Sequence, residues 1–264
     1  KALHRFAHVR TYGLSATPKG RSDGSDKQTL ASLGPILMKV PYSLAQAEGS
    51  VAPVKVDMYP IRLDSLDPNE LENMPYHVIS QRCIVGNYKR TEIICDTVRR
   101  TVPANEQVLI LTDRTKHVYR LRNCLPQGTV CVHKETPPEN WEKFLRQGIV
   151  TAEDVRVPDV DQILQDFLDQ KIRVVVATRI WDEGIDAPAL KWVVRADGSA
   201  AAIMSVQFGG RATRVYEGKT AHIISFIDYH NNLQGRGFQQ IKSYEENDWR
   251  VTRHRDLPQT PLLW

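Results

Sequence analysis

Gln207, Arg211 and Arg214 stand at i, i+4 and i+7 within Gln207-Phe208-Gly209-Gly210-Arg211-Ala212-Thr213-Arg214. On a helix that spacing places one amide and two guanidiniums on a single face. Planar cationic forks held in parallel are suited to phosphate oxygens. Upstream, Thr178, Asp182, Glu183, Gly184 and Asp186 follow the run Val174-Val175-Val176-Ala177. A short β-branched run bounded by turn residues reads as a strand buried on both faces, the kind found in parallel sheets covered by helices. Open α/β sheets bind ligands beyond the C-terminal ends of their strands, so a polar loop at that place is a candidate site.

The rest of the chain supplies the elements that would position these groups. Val54 to Ile61 alternates apolar and polar residues and predicts a strand, as do Ile36 to Val40, Gln107 to Leu111, Thr129 to His133, Lys171 to Thr178, Leu190 to Arg195 and Thr220 to Ile227. Helices are predicted over Lys27 to Leu33, with Asp26 as cap and Gly34-Pro35 as stop, over Tyr88 to Val102, over Thr115 to Cys124 and over Asp161 to Gln170. Gly198 and Ser199 open the helix that carries Gln207, Arg211 and Arg214. Strand and helix alternate, which predicts a doubly wound parallel sheet. Lys89, Arg90, Arg99 and Arg100 read as a solvated helix face. After Leu111, Thr112 and Asp113 are alternatives for an ordinary helix cap, or the same residues with Arg114 make a ligand contact. Asp64 to Pro75 is turn-rich, and Lys134 to Val157 receives no assignment. Tyr229 to Trp264 interleaves Arg236, Lys242, Arg250, Arg253 and Arg255 with Phe238, Tyr244 and Trp249. Such a tail packs on the domain or grips nucleic acid.

Composition sets the bounds. With 264 residues and 41% hydrophobic residues, the chain can bury a core. A net charge of +4 permits a polyanionic partner. No apolar run approaches membrane-spanning length. The four cysteines, Cys83, Cys95, Cys124 and Cys131, form no Cys-x-x-Cys pair and read as buried thiols. The chain begins at Lys1, without a signal-peptide pattern, which suggests a piece of a longer protein.

Taken together, the Thr178 to Pro188 segment and the Gln-x-x-Gly-Arg-x-x-Arg segment resemble, in order, motifs V and VI of superfamily 2 helicases, nucleic-acid motors built from two RecA-like domains. Ser15-Ala16-Thr17 resembles motif III, which couples the first domain to the second, and Thr112-Asp113-Arg114 lies where motif IV faces nucleic acid. Glu48-Gly49-Ser50-Val51-Ala52-Pro53 is similar to the passage between the domains. The resemblance implies a RecA-like fold, with residues 1–52 as the remnant and linker of domain 1 and 53–264 as domain 2.

It further implies an ATP-dependent DNA helicase or translocase. Arg214 is then the arginine finger, Arg211 its companion and Gln207 the residue aligning them; Asp186 accepts a ribose hydroxyl and Gly184 lets the backbone approach. Thr178, Thr112 and Arg114 hold strand phosphates. ATP and Mg²⁺ are the implied cofactors, both held mainly by the remainder of the polypeptide. DNA is the implied partner, RNA the alternative, and the cytoplasm, nucleoid or host cytoplasm the compartment. The Glu183 to Pro188 loop and Gln207, where DEAD-box proteins usually carry histidine, resemble the phage and DNA-repair branch. An RNA helicase, a double-strand translocase subunit and a non-motor RecA-like binding module remain the other readings.

Two look-alikes are set aside. Gly218-Lys219-Thr220 would need a glycine at position 213, which is Thr213, and a strand follows it. Asp182-Glu183 lacks the downstream acid or histidine of the Mg²⁺ motif. With no phosphate loop and no Mg²⁺ motif in the sequence, the fragment alone is expected not to hydrolyse ATP.

Overall fold

The computed structural model describes residues 12–13, 26–62, 74–156, 159–181, 187–200, 218–230, 233–262 and 264. The described elements are α1 (Asp26–Leu33), α2 (Tyr42–Ala47), β1 (Val54–Arg62), α3 (Tyr76–Ile79, running on as a π-helix through Ser80–Val85), α4 (Tyr88–Thr101), β2 (Val108–Leu111), α5 (Thr115–Cys124), β3 (Val130–Val132), α6 (Pro138–Arg146), α7 (Val160–Leu168), β4 (Val174–Ala177), β5 (Trp192–Arg195), β6 (Ala221–Tyr229), α8 (Gln234–Glu245) and β7 (Arg250–Arg253).

Seven strands form one sheet in the order β3-β4-β2-β5-β6-β1-β7. Each pairing is parallel. Because side chains alternate across a strand, the continuous apolar runs feed both faces. Val108, Ile110, Val174 and Val176 point to one face, where Ile94, Val98 and Leu121 of α4 and α5 cover them. Leu109, Leu111, Val175 and Val193 point to the other, beneath Phe167 of α7 and Ile241 and Tyr244 of α8. This is the doubly wound α/β architecture expected of a RecA-like domain.

The structure departs from the sequence reading in several places. Ile36 to Val40 is not a strand. Leu37 and Met38 are 77% and 79% exposed, and β propensity builds a strand only where a neighbour can take its hydrogen bonds. Arg90 is not on a solvated face; it is fully buried. Neither Thr112 nor Asp113 caps α5: its N-cap is Arg114, with no side-chain cap bond. The unassigned segment after Lys134 contains α6, whose Trp141 and Phe144 join Tyr119, Ile149 and Val150 in a satellite core. The tail packs on the domain, the first of its two readings. It does so as α8 and as β7, which pairs with β1. Trp249 and Tyr244 are buried and stacked, and the Trp264 indole donates to the Val102 carbonyl at 2.6 Å.

Candidate functional site

The register of the central strands builds the site's floor. Ala177 pairs with both Leu111 and Val132, and Leu111 with Arg195. The next residue of each strand therefore emerges at the same C-terminal edge, in the order His133, Thr178, Thr112, Ala196. Their main chains continue the ladder: the Thr178 N–H donates to Val132, that of Thr112 to Ala177 and that of Ala196 to Leu111, at 2.9, 3.0 and 2.8 Å. Two threonines predicted from separate motifs thus stand side by side.

Their hydroxyls differ in kind. Thr178 is 7% exposed, and its buried Oγ1 has no hydrogen-bond partner. Leaving such a group unsatisfied costs roughly 1–3 kcal/mol, so a ligand oxygen that bonded it would recover real energy. The Thr112 hydroxyl is bonded at 2.7 Å to Nδ1 of His117 on α5. Thr112 is 2% exposed, so its side chain fastens the turn into α5 rather than facing solvent.

That turn aims Arg114. The residue is extended (φ −132°, ψ 133°) at the start of α5, and its side chain lines a cleft of about 320 Å³ together with Asp113, Lys116, Glu135, Asn140 and Lys143. Asn140 and Lys143 belong to α6, in the stretch the sequence left unassigned. Lys116 carries a lowered pKa because of burial and the neighbouring charges of Arg120 and Lys143. Three cations thus share the cleft with two carboxylates, and Lys116 is the cation crowded by its neighbours.

His117 has its pKa well below 6.5, first because it is fully buried and then because Arg90 and Arg120 repel a second charge. A depressed histidine is neutral in the fold and protonates freely in the unfolded chain. Its stabilising contribution is complete above about pH 6.5 and declines as pH falls toward the folded pKa, by about 1.4 kcal/mol per pH unit. We expect the midpoint of urea unfolding to drop between about pH 6.5 and 5, more steeply than in His117→Gln.

Two buried ion pairs grip Ala196 to Ser199, the segment that leads into the arginine-bearing stretch. On one side Arg90 meets Asp228 bidentately at 2.7 and 3.0 Å and donates to the Ala196 carbonyl at 2.9 Å. On the other, Arg195 pairs with Asp197 at 2.9 Å and donates to the Ser199 carbonyl at 3.1 Å and to the Tyr244 hydroxyl at 3.3 Å. Burial alone would lower the Arg195 pKa, but Asp197 and Tyr244 raise it on balance. Gln240 of α8 also donates to Ser199 and accepts from Ser225. Gly198, at φ +64°, turns between the pairs, where a Cβ would lie 2.9 Å from Ile84 Cδ1.

Ser15, Ala16, Thr17, Gly184, Asp186, Gln207, Arg211 and Arg214 lie outside the described residues. The ends of the acidic loop are visible: Trp181 is buried beside Phe167, and Ala187 and Leu190 enter the same core. Lys219, from the apparent phosphate-loop sequence, is instead 4% exposed and donates to the Pro188 carbonyl at 2.7 Å. A strand follows it, as the sequence required. Among the described residues no three His, Cys, Asp or Glu side chains converge on a metal-sized site, and no step is assigned to a metal through them. No helix of the described residues is long and apolar enough to cross a membrane.

Known proteins resemble the chain in sequence and in fold. The helicase conserved C-terminal domain family matches residues 89–216, which run from α4 through the arginine stretch. A protein assigned as helicase 22 in the Sulfolobus islandicus filamentous virus (isolate Iceland/Hveragerdi) is 22% identical over 250 residues, 90% of this chain and 41% of its own. The chain thus spans well under half of that relative. Among solved structures, a fragment assigned to an HsdR subunit of a type I restriction enzyme from Vibrio vulnificus has a TM-score of 0.62 at 18% identity, covering 95% of this chain and 45% of its own. T4 UvsW has a TM-score of 0.54 at 16% identity, covering 76% and 41%. These structural likenesses speak to the fold. Motifs, topology and the family match over residues 89–216 agree on a RecA-like helicase C-terminal domain.

Proposed function

We propose that this chain is the C-terminal motor half of an ATP-dependent DNA helicase or translocase. Residues 1–52 are the remnant of a first RecA-like domain with its linker, and 53–264 the second domain. Ser15, Ala16 and Thr17 couple the two. Arg214 reaches the γ-phosphate across the interdomain cleft, with Arg211 beside it and Gln207 aligning both; Gly184 and Asp186 meet the nucleotide's sugar side. Thr178 and Arg114 hold strand phosphates, and Thr112 keeps the turn that aims Arg114. Backbone contacts of this kind carry no sequence information, as a motor moving along any sequence requires. ATP binding closes the domains and hydrolysis releases them, so this surface shifts along the strand. The phosphate cradle and Mg²⁺ ligands come from the rest of the polypeptide, and this half alone hydrolyses ATP only at background.

The observation that carries the reading is the unpartnered Thr178 hydroxyl at the C-terminal edge, beside Thr112 and the turn to the cleft that Arg114, Lys116 and Lys143 share with Asp113 and Glu135. Its test is Thr178→Val, which removes a hydroxyl and nothing else of size. The melting temperature should hold or rise, because an unsatisfied buried group is gone. Affinity for single-stranded DNA, measured by fluorescence anisotropy, should fall about tenfold, the value of a hydrogen bond to a charged group. Unchanged affinity in both Thr178→Val and Arg114→Ala would sink the strand-holding reading. Strand displacement by the complete protein on matched DNA and RNA duplexes decides between the two nucleic acids.

A further inference from the structure

Far from Thr178 on the same sheet edge, a second cleft of about 590 Å³ is lined by Pro60, Arg62, Tyr229, Arg253, His254 and Arg255. Among the described residues no carboxylate lines it. It forms where β1 and β6 end together, with Arg62 opposite Tyr229 in the register, and where the chain leaves β7 after Arg253. The three arginines are exposed, and the Tyr229 ring is 43% exposed. The nearby acids are turned to other work. Asp57 is bonded to His254 Nε2 at 2.7 Å, fixing a ring that stacks on Tyr59 at 4.2 Å, and Glu245 meets Arg253 at 3.1 Å from α8. What faces the cleft is three guanidiniums, that of Arg253 paired with Glu245, beside the partly exposed Tyr229.

We propose that this cleft is a second contact for the nucleic-acid strand, taking its phosphates on Arg62, Arg253 and Arg255 and one base on Tyr229. The inference rests on the strand-holding reading of Thr178 and extends it across the sheet. Planar guanidiniums match phosphate oxygens, and an aromatic face accepts any base, so the contact is indifferent to sequence. The geometry also sets a length. From β4 to β1 is four strand spacings, about 19 Å. Only a strand long enough to cover that distance touches both contacts at once. A tail that the sequence shows only as basic and aromatic thereby becomes part of the track.

The test is anisotropy of the present chain with labelled oligothymidylates of about 2 and about 16 nucleotides, the shorter one unable to span both contacts. For the longer probe, R62A/R253A/R255A should flatten the dependence of log affinity on log salt by about 2, since each phosphate that goes unneutralised removes roughly 0.7 from the slope. Tyr229→Ala should weaken it about fivefold or more, and Tyr229→Phe should restore it. Neither change should move the shorter probe held at Thr178, and melting curves should match the unaltered chain because the side chains are exposed. An unaltered salt slope in the triple variant, while Thr178→Val weakens both probes, overturns this inference and leaves the Thr178 site standing. Loss of ATP binding in the triple variant without loss of oligonucleotide binding also overturns it, since the cleft then serves a free nucleotide. If the unaltered chain binds neither probe, both readings fall.

Discussion

In the complete protein, Arg214→Ala is expected to slow ATP hydrolysis by about 10³- to 10⁵-fold while ATP affinity changes far less. Charge spreads over the transferred phosphoryl group only in the transition state, so a guanidinium aimed there acts on turnover rather than on ground-state binding. Arg214→Lys should fail as well, since a point charge cannot reproduce the planar fork. Stability should barely move, because removing an arginine whose partner is ATP strands no buried charge. Melting and single-turnover hydrolysis measured on one preparation decide the matter. A variant that melts several degrees lower yet turns over normally would make Arg214 a scaffold residue and end its assignment as the finger.

The opposite pattern is expected at Asp228. Asp228→Ala leaves the Arg90 guanidinium, 0% exposed, without its carboxylate, and breaking a buried pair from one side costs about 3–5 kcal/mol. Replacing both partners, as R90M/D228L, should recover most of that loss because no charge is left stranded. Denaturant melts of the two variants distinguish them. The double variant should still show a separate defect: the Ala196 carbonyl loses its donor, and with it one of the clamps on the path into the arginine stretch. Equal stability of Asp228→Ala and the unaltered chain would mean that Arg90 is solvated in solution.

The parts of the fold that could be read in advance are those whose physics is local. Val108–Leu111 and Val174–Ala177 are short, β-branched or aliphatic, and bounded by turns, and they are the sheet's buried centre. α8 escaped because Gly235 and Gly237 argue against a helix. Gly237 is there for packing: a Cβ on it would sit 3.1 Å from the Ile227 backbone, tight enough that helix and strand would have to part slightly. β7, Arg-Val-Thr-Arg, carries no apolar alternation because it is an edge strand with exposed flanks. Arg90 looked like one more surface cation because its partner is 138 residues away. At the site, motif spacing pointed to Thr178, Thr112 and Arg114, but only register places the two threonines side by side. Lys143 and Asn140 arrive from α6, which Pro138 opens and Trp141, Phe144 and Leu145 mark at i, i+3 and i+4, a stripe too short to stand out from the segment around it.

The position of β1 has a consequence for how the chain is made. Its two neighbours are β6 and β7, and Val54 pairs with Ala221. The separation, 221 − 54 = 167 residues, is a long loop to close before any of β1's ladder bonds form. At ribosomal rates of about 5–20 residues per second, Val54–Arg62 waits roughly 8–33 s with both edges open. The central strands can assemble meanwhile, since β3, β4, β2 and β5 pair among themselves. The first strand of the sheet to be synthesised is thus among the last to be housed, and it stands open to a chaperone, or to another nascent copy, longer than the central strands do.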